Sequence, residues 1–198
     1  MTAAQTKAIT DIAHRYNIAV HLDGARIFNA AIALGVKASE LVKDVDTVTF
    51  CLSKGLSCPA GGLLCGRRDT IARARRFRKL IGGTLRQAGV IAAPGIVALR
   101  TMVDRLAEDH RNARRLAEGL AGFSPLKIDL RAVQTNIVFA DTSGLKYDAT
   151  ELNRRLGRYH VEVLVGGPAR IRMVTHRHIK PEHVDSAIKA FAQVIANS

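Results

Sequence analysis

The sequence predicts an α/β fold, a mainly parallel sheet with helices on both faces, followed by a smaller α+β unit. Three observations carry this expectation. Helix-spaced and strand-type apolar runs alternate through the first half of the chain; two of the strand runs stop abruptly at turn residues, Asp23-Gly24 and Ser53-Lys54-Gly55; and after Phe123-Ser124-Pro125 the pattern changes to closely spaced short strands.

The elements follow in order. Ala3 to Tyr16 carries Ile9, Ile12, Ala13 and Tyr16 at helical spacing, and Ile18 to Leu22 reads as a buried strand. Asp46 to Leu52 is a second β-branched run and Gly62 to Cys65 a third, ending at Gly66. Thr70 to Leu80 predicts a helix, and Arg86 to about Gly119 one long helix kinked near Pro94. Beyond Pro125 come strands at Leu126 to Leu130 and Thr135 to Phe139, a helix over Ala149 to Tyr159, strands near Val161 to Val165 and Arg170 to Val174, and a last helix from Pro181. The expected domains are residues 1–110, the larger α/β part, and 111–198, a small C-terminal α+β domain.

Composition excludes several classes. The chain has 198 residues, 47% of them hydrophobic, and a formal net charge of +13. A chain of this size buries roughly 70% of its unfolded surface, which rules out collagen, disorder and a lone coiled coil. The longest apolar run, Ala88 to Leu99, contains Pro94 and Gly95 and falls short of the ~20 residues a membrane span requires, so no membrane partner is expected. The N-terminus lacks a signal-peptide design, and the cytoplasm is the expected address. Cys51, Cys58 and Cys65 form no C-x-x-C pair and read as reduced, mostly buried thiols.

Charge is concentrated. From Arg67 to Arg86 eight basic residues stand against one acid, Asp69, over half of the net excess. Such a cluster raises nucleic acid as a partner, because cations gain affinity by displacing counterions from phosphates. The cations between Arg73 and Lys79, however, point in nearly every direction around a helix axis, so some face inward or across to another chain.

No G-x-G-x-x-G occurs, and Gly61 to Arg68 has P-loop glycine spacing without its Lys-Ser/Thr. His176, His178 and His183 lack an acidic or cysteine partner at ligand spacing, so no metal site is expected. What remains is a pair of strand ends. Asp23 and Lys54 each follow an apolar strand and precede a glycine, and the carboxyl ends of parallel strands are where ligands gather. Read singly, Asp23 caps the next helix and Lys54 is a surface loop residue. Read together they place an acid and an amine in one crevice, where a desolvated lysine can act as an imine-forming nucleophile.

Four segments, His21-Leu-Asp-Gly-Ala-Arg-Ile-Phe-Asn-Ala30, Cys51-Leu-Ser-Lys-Gly-Leu56, Arg78-Lys-Leu-Ile-Gly-Gly-Thr-Leu-Arg-Gln-Ala-Gly89 and Ile171-Arg-Met-Val-Thr-His176, closely resemble the motifs of the L-threonine aldolases. These are fold-type I pyridoxal-phosphate enzymes of the aromatic amino acid β-eliminating lyase group. The resemblance implies the C-terminal part of a fold-type I large domain in residues 1–110. Lys54 would be the Schiff-base lysine, Asp23 the partner of the pyridine nitrogen, and Arg26 a neighbour of the cofactor, pyridoxal 5'-phosphate. Lys79 and Arg86 match positions near the cofactor phosphate or a subunit interface, a small-anion role that leaves nucleic acid out. Arg172 would clamp the substrate carboxylate with its planar fork. Arg73, Arg75 and Arg76 are assigned to solvent or interface and Arg170 to structure.

The implied reaction is retro-aldol cleavage of a small β-hydroxy-α-amino acid, L-threonine or L-allo-threonine, to glycine and acetaldehyde, in a homo-oligomer; the residues do not identify the base. The resemblance also implies that the family's N-terminal part, with its ring-stacking histidine and phosphate cradle, is missing, so that activity could depend on that segment. Another fold-type I enzyme, a β-eliminating lyase or an aminotransferase, would share Asp23, Lys54 and Arg172. From a different class, a non-catalytic basic module would bind nucleic acid through Arg67 to Arg86.

Overall fold

Thr2 opens the first helix, α1 (Ala3–Arg15), with a reciprocal cap: its hydroxyl accepts the Gln5 N–H at 3.3 Å and the Gln5 side chain accepts the Thr2 N–H at 2.8 Å. The computed structural model describes residues 1–196. It divides into two compact units, Met1–Arg105 and Leu106–Ser198. In the first, α1 turns Thr6 and Thr10 inward, while the apolar stripe read from the sequence points out, Ile9 and Ile12 each 53% exposed.

Strand β1 (His21–Asp23) is shorter than the expected Ile18–Leu22 run, and only Leu22 of its three residues is half-buried. The reason is a side chain. Asp46 accepts the Val20 N–H at 2.7 Å and lies 2.8 Å from His14 Nε2, so Val20 enters the sheet through a carboxylate. Helices α2 (Ile27–Leu34) and α3 (Ala38–Leu41) follow. Sequence patterning missed α2 because Ile-Phe-Asn-Ala-Ala-Ile-Ala-Leu is apolar nearly all round and shows no 3.6-residue alternation.

Strands β2 (Thr47–Cys51) and β3 (Gly62–Gly66) complete a sheet of order β1-β2-β3. β1 and β2 are parallel, whereas β3 is antiparallel to β2. This three-stranded sheet is therefore mixed, where a mainly parallel one was expected. Residues 52–61 between β2 and β3 are too few for a parallel crossover, which takes a dozen or more.

Helix α4 (Arg68–Leu80) packs beside β3 and has no buried residue. The single long helix expected from Arg86 is instead two, α5 (Gly89–Thr101) and α6 (Leu106–Ala121), with Pro94 accommodated inside α5. The break falls where the units part: Leu106, fully buried, begins the second. The core of the first unit gathers Leu52, Leu56, Cys58 and Ala98, with Phe28 and Phe50 edge-to-face at 5.3 Å beside them. Cys58 is the one buried thiol; Cys51 is intermediate and Cys65 exposed, and none is paired.

The second unit has a sheet of order β4-β6-β5, antiparallel throughout, from β4 (Ile137–Asp141), β5 (Leu164–Val165) and β6 (Arg170–Val174). The strand expected at Leu126–Leu130 is not formed. Lys127 makes a single bridge to Asp141, and Asp129 caps a 3-10 turn over Leu130–Ala132 by accepting the Arg131 N–H at 2.9 Å. Helix α6 joins α7 (Ala149–Gly157) and α8 (Pro181–Ala196) around a core that includes Leu120, Leu152, Leu156, Ile171 and Phe191, each with no exposed surface. Burying such side chains contributes about 1.5–3 kcal/mol apiece, which makes this the better-packed unit.

Candidate active site

The chain after β1 is fixed by a glycine. Gly24 is buried, its N–H donates to the Thr49 carbonyl at 2.8 Å, and a Cβ there would stand 2.9 Å from that carbonyl oxygen and 2.9 Å from Val48 Cγ2. No side chain fits, so the turn that presents Asp23 depends on Gly24. The Asp23 carboxylate accepts the Ala25 N–H at 3.0 Å and is otherwise open to solvent. That bond is the local one expected of an aspartate in a turn.

Alternation along the strands separates two chemistries. Leu22, Val48 and Phe50 share one face, Phe50 meeting Phe28 of α2. His21, Asp23, Thr47 and Thr49 share the other, with His21 Nδ1 2.9 Å from Thr47 Oγ1 and Nε2 3.4 Å from Thr49 Oγ1. Sequence reasoning did not single out His21 or the two threonines. The period-2 spacing of His21 and Asp23 was the available signal, but the threonines emerge only once the register is known.

Arg26, half-buried at the start of α2, lines a cavity of about 260 Å³ with Asp23, Thr6 and Leu41. Lys54 lies three residues past the end of β2, the parallel neighbour of β1. Its loop is anchored by Leu52 and Leu56, each 3% exposed. Its carbonyl accepts the Ser57 N–H at 2.8 Å, and the Cys58 N–H returns to the Leu52 carbonyl at 3.0 Å. The amine is exposed. Asp23 and Lys54 thus leave the carboxyl ends of adjacent parallel strands, which lie about 4.8 Å apart, although Lys54 does not line the Asp23–Arg26 cavity.

Two of the other expected residues stand apart within the first unit. Lys79, on α4, and Arg86, in the segment after it, are exposed and do not line this cavity; α4 packs on β3, which β2 separates from β1. Arg73, Arg75 and Arg76 are likewise exposed on α4. Arg172 lies at the middle of β6, the central strand of the second sheet, in register with Phe139 and Leu164. Arg170 stacks its guanidinium 4.3 Å from the centre of the Phe139 ring. Among the described residues no group of three or more His, Cys, Asp or Glu is placed to hold a metal, and no helix is long and apolar enough to cross a membrane.

The profile of the beta-eliminating lyase family matches residues 1–143. The chain belongs to this family. Over 196 residues it is 38% identical to the low-specificity L-threonine aldolase 1 of Arabidopsis thaliana, covering 98% of itself and 55% of the relative. Over 171 residues it is 43% identical to the low specificity L-threonine aldolase of Escherichia coli K12, covering 85% and 48%. The chain therefore spans about half the length of these relatives. In fold it is similar to the threonine aldolase of Leishmania major, with a TM-score of 0.75 at 16% identity over 98% of this chain and 57% of that one. It is also similar to the ureidoglycine-glyoxylate aminotransferase of Bacillus subtilis, with a TM-score of 0.68 at 15% identity over 97% and 56%. The fold of the chain is thus that of the matched part of the Leishmania aldolase and of the aminotransferase.

Proposed function

We propose that this chain carries the cofactor-anchoring lysine and aspartate of a pyridoxal-phosphate-dependent threonine aldolase, cleaving L-threonine or L-allo-threonine to glycine and acetaldehyde. The observation that carries the reading is the exit of Asp23 and Lys54 from the carboxyl ends of the parallel pair β1 and β2, with Arg26 beside Asp23. The names of the Arabidopsis and E. coli relatives support the reaction class.

The chemistry of these groups fits the cofactor. Bound pyridoxal phosphate supplies an aldehyde for an amino group and a ring that takes up the electron pair of the breaking Cα–Cβ bond. Asp23 would hold a proton on the pyridine nitrogen, since a carboxylate there would favour the charged ring. Lys54 offers a primary amine on a loop pinned by two buried leucines, which limits where its Nζ can reach. Arg26 supplies a positive charge at the cavity, and Lys79 and Arg86 carry cations suited to a phosphate. Arg172 holds the substrate carboxylate, on the match of Ile171–His176 to the family motif. A homo-oligomer in the cytoplasm is the setting this reading implies.

Titration of the purified chain with pyridoxal phosphate, borohydride trapping and peptide mapping test the reading. The label is expected on Lys54 and absent from Lys54→Ala; equal labelling of the two proteins would sink the assignment. Product analysis with threonine then separates the classes. Glycine with acetaldehyde is expected, whereas a keto acid, or pyruvate with ammonia, would give the chain to another reaction of the same fold.

A further inference from the structure

A cavity of about 620 Å³ lies wholly within the second unit, lined by residues of α6, α8, β6 and the segment that leads into β5. It forms where the edge of β6 loses its neighbour. β5 pairs with β6 only at Ile171 and Arg172, whereas β6 runs on through Met173 and Val174. Upstream of Leu164 the chain is tied to α7 instead: the Val163 N–H donates to Asn153 Oδ1 at 2.8 Å, and His160 takes a left-handed φ of 58°. The space left between them is floored by Leu116, Val184 and Phe191, none more than 6% exposed.

Among the described residues that line the cavity, Arg172 is the one lysine or arginine and Glu162, which is exposed, the one acid. Arg172 is half-buried, yet its guanidinium makes no ion pair or hydrogen bond among the described residues. Arg170, two positions earlier, shows the contrast, since its guanidinium is stacked on the Phe139 ring. A cation drawn partly out of water without an acceptor calls for an anion, and the planar fork of an arginine matches a carboxylate. The volume is that of a small-molecule site, which takes an apolar body and fixes it with a few polar contacts.

We propose that this cavity binds an apolar monocarboxylate, its carboxylate on Arg172 and its hydrocarbon body against Leu116, Val184 and Phe191. The charge balance decides the head group. A phosphate dianion would meet one fixed cation and the Glu162 carboxylate, whereas a carboxylate needs a single guanidinium fork. The floor decides the body: its three side chains carry no hydrogen-bonding atom, so the part of the ligand that covers them is hydrocarbon. A free amino acid fits the cavity less well, because its ammonium group would be carried toward that floor. On the proposed reaction the same guanidinium holds the substrate carboxylate, so the two ligands exclude each other and the apolar acid acts as a competitive inhibitor. The site itself does not rest on that reading.

Calorimetric titration of the 198-residue chain with octanoate, 1-octanol and acetate tests the site. Octanoate is expected to bind about tenfold or more tighter than either the alcohol, which lacks the charge, or acetate, which lacks the chain. It should also shift the methyl resonances of Leu116 and Val184, saturating at one equivalent. Arg172→Met is expected to bring octanoate down to the level of 1-octanol. Ala187→Phe, which fills the cavity from α8, is expected to weaken octanoate about tenfold while leaving the circular dichroism of the chain unchanged. Equal affinity for octanoate and 1-octanol, octanoate binding to Arg172→Met as tight as to the wild type, or methyl shifts confined to residues outside the cavity would each overturn the proposal. The methyl shifts are read on the unaltered chain, so the test holds even where Ala187→Phe does not fold. None of these readouts uses pyridoxal phosphate or turnover, so the aldolase reading stands or fails separately.

Discussion

Gly24 shows how one atom governs the site. A methyl group there meets the Thr49 carbonyl and Val48 at 2.9 Å, so Gly24→Ala is expected to lower stability by about 1–3 kcal/mol in urea unfolding. It should also weaken pyridoxal phosphate binding by displacing Asp23. Two titrating groups act at the same scale. The Glu151 carboxyl is held down to about 2 by hydrogen bonds from Arg154 and then Arg155. A folded value below the unfolded one stabilises at neutral pH, and that contribution is lost as pH falls toward 2. Thermal unfolding from pH 2 to 6 should therefore show a gap between wild type and Glu151→Gln that closes at the acid end. Burial pushes the Cys58 thiol up, whereas Cys65 is exposed. Iodoacetamide is expected to label Cys65 of the native protein first and Cys58 only on unfolding. Asp23 and Lys54 were legible in the sequence because each stands between an apolar run and a glycine. The threonines facing His21 were not, because cross-strand register is set by the Asp46–Val20 contact and the pairing of β1 with β2, which no local pattern encodes.

Among the elements, legibility followed the strength of the local signal. β6 occupies the expected Arg170–Val174 and α8 starts at the expected Pro181, since alternation in one and a proline start in the other leave little choice. The spacing over Ala3 to Tyr16 predicts the helix α1, yet its apolar side is the outer one, which periodicity alone does not reveal. The segment from Arg86 lacked any stop signal at 102–105, and its division into α5 and α6 is a tertiary event centred on the burial of Leu106. The β2–β3 loop depends on Leu52, which also lies against Gly61 and Gly95, where a Cβ would come within 3.3 Å and 2.9 Å of its side chain. Leu52→Ala should cost about 2–5 kcal/mol in the unfolding of the first unit and loosen the loop that carries Lys54, read as a lower yield of borohydride-trapped label.

For the molecule as a whole, the two units are unequally packed. The second surrounds its sheet with α6, α7 and α8, while the first gathers a small buried cluster and leaves α4 without a buried residue. Native-state hydrogen exchange is accordingly expected to protect β4 and β6 more strongly than β1 and β3, and limited proteolysis to cut within the first unit before the second. Equal protection in both would contradict the packing. The connection between β2 and β3 also governs the order of assembly. Cys51 pairs with Gly62 across eleven positions of chain, whereas Asp141 pairs with Arg170 across twenty-nine. Short closures are entropically cheaper and faster, so the hairpin bearing the Lys54 amine should form ahead of the sheet bearing Arg172. On a ribosome the same order holds by emergence: the amine's loop has its strand partner in sequence once Gly66 has left the tunnel and its packing partners Gly95 and Ala98 soon after, long before the arginine that would hold a substrate carboxylate has been translated.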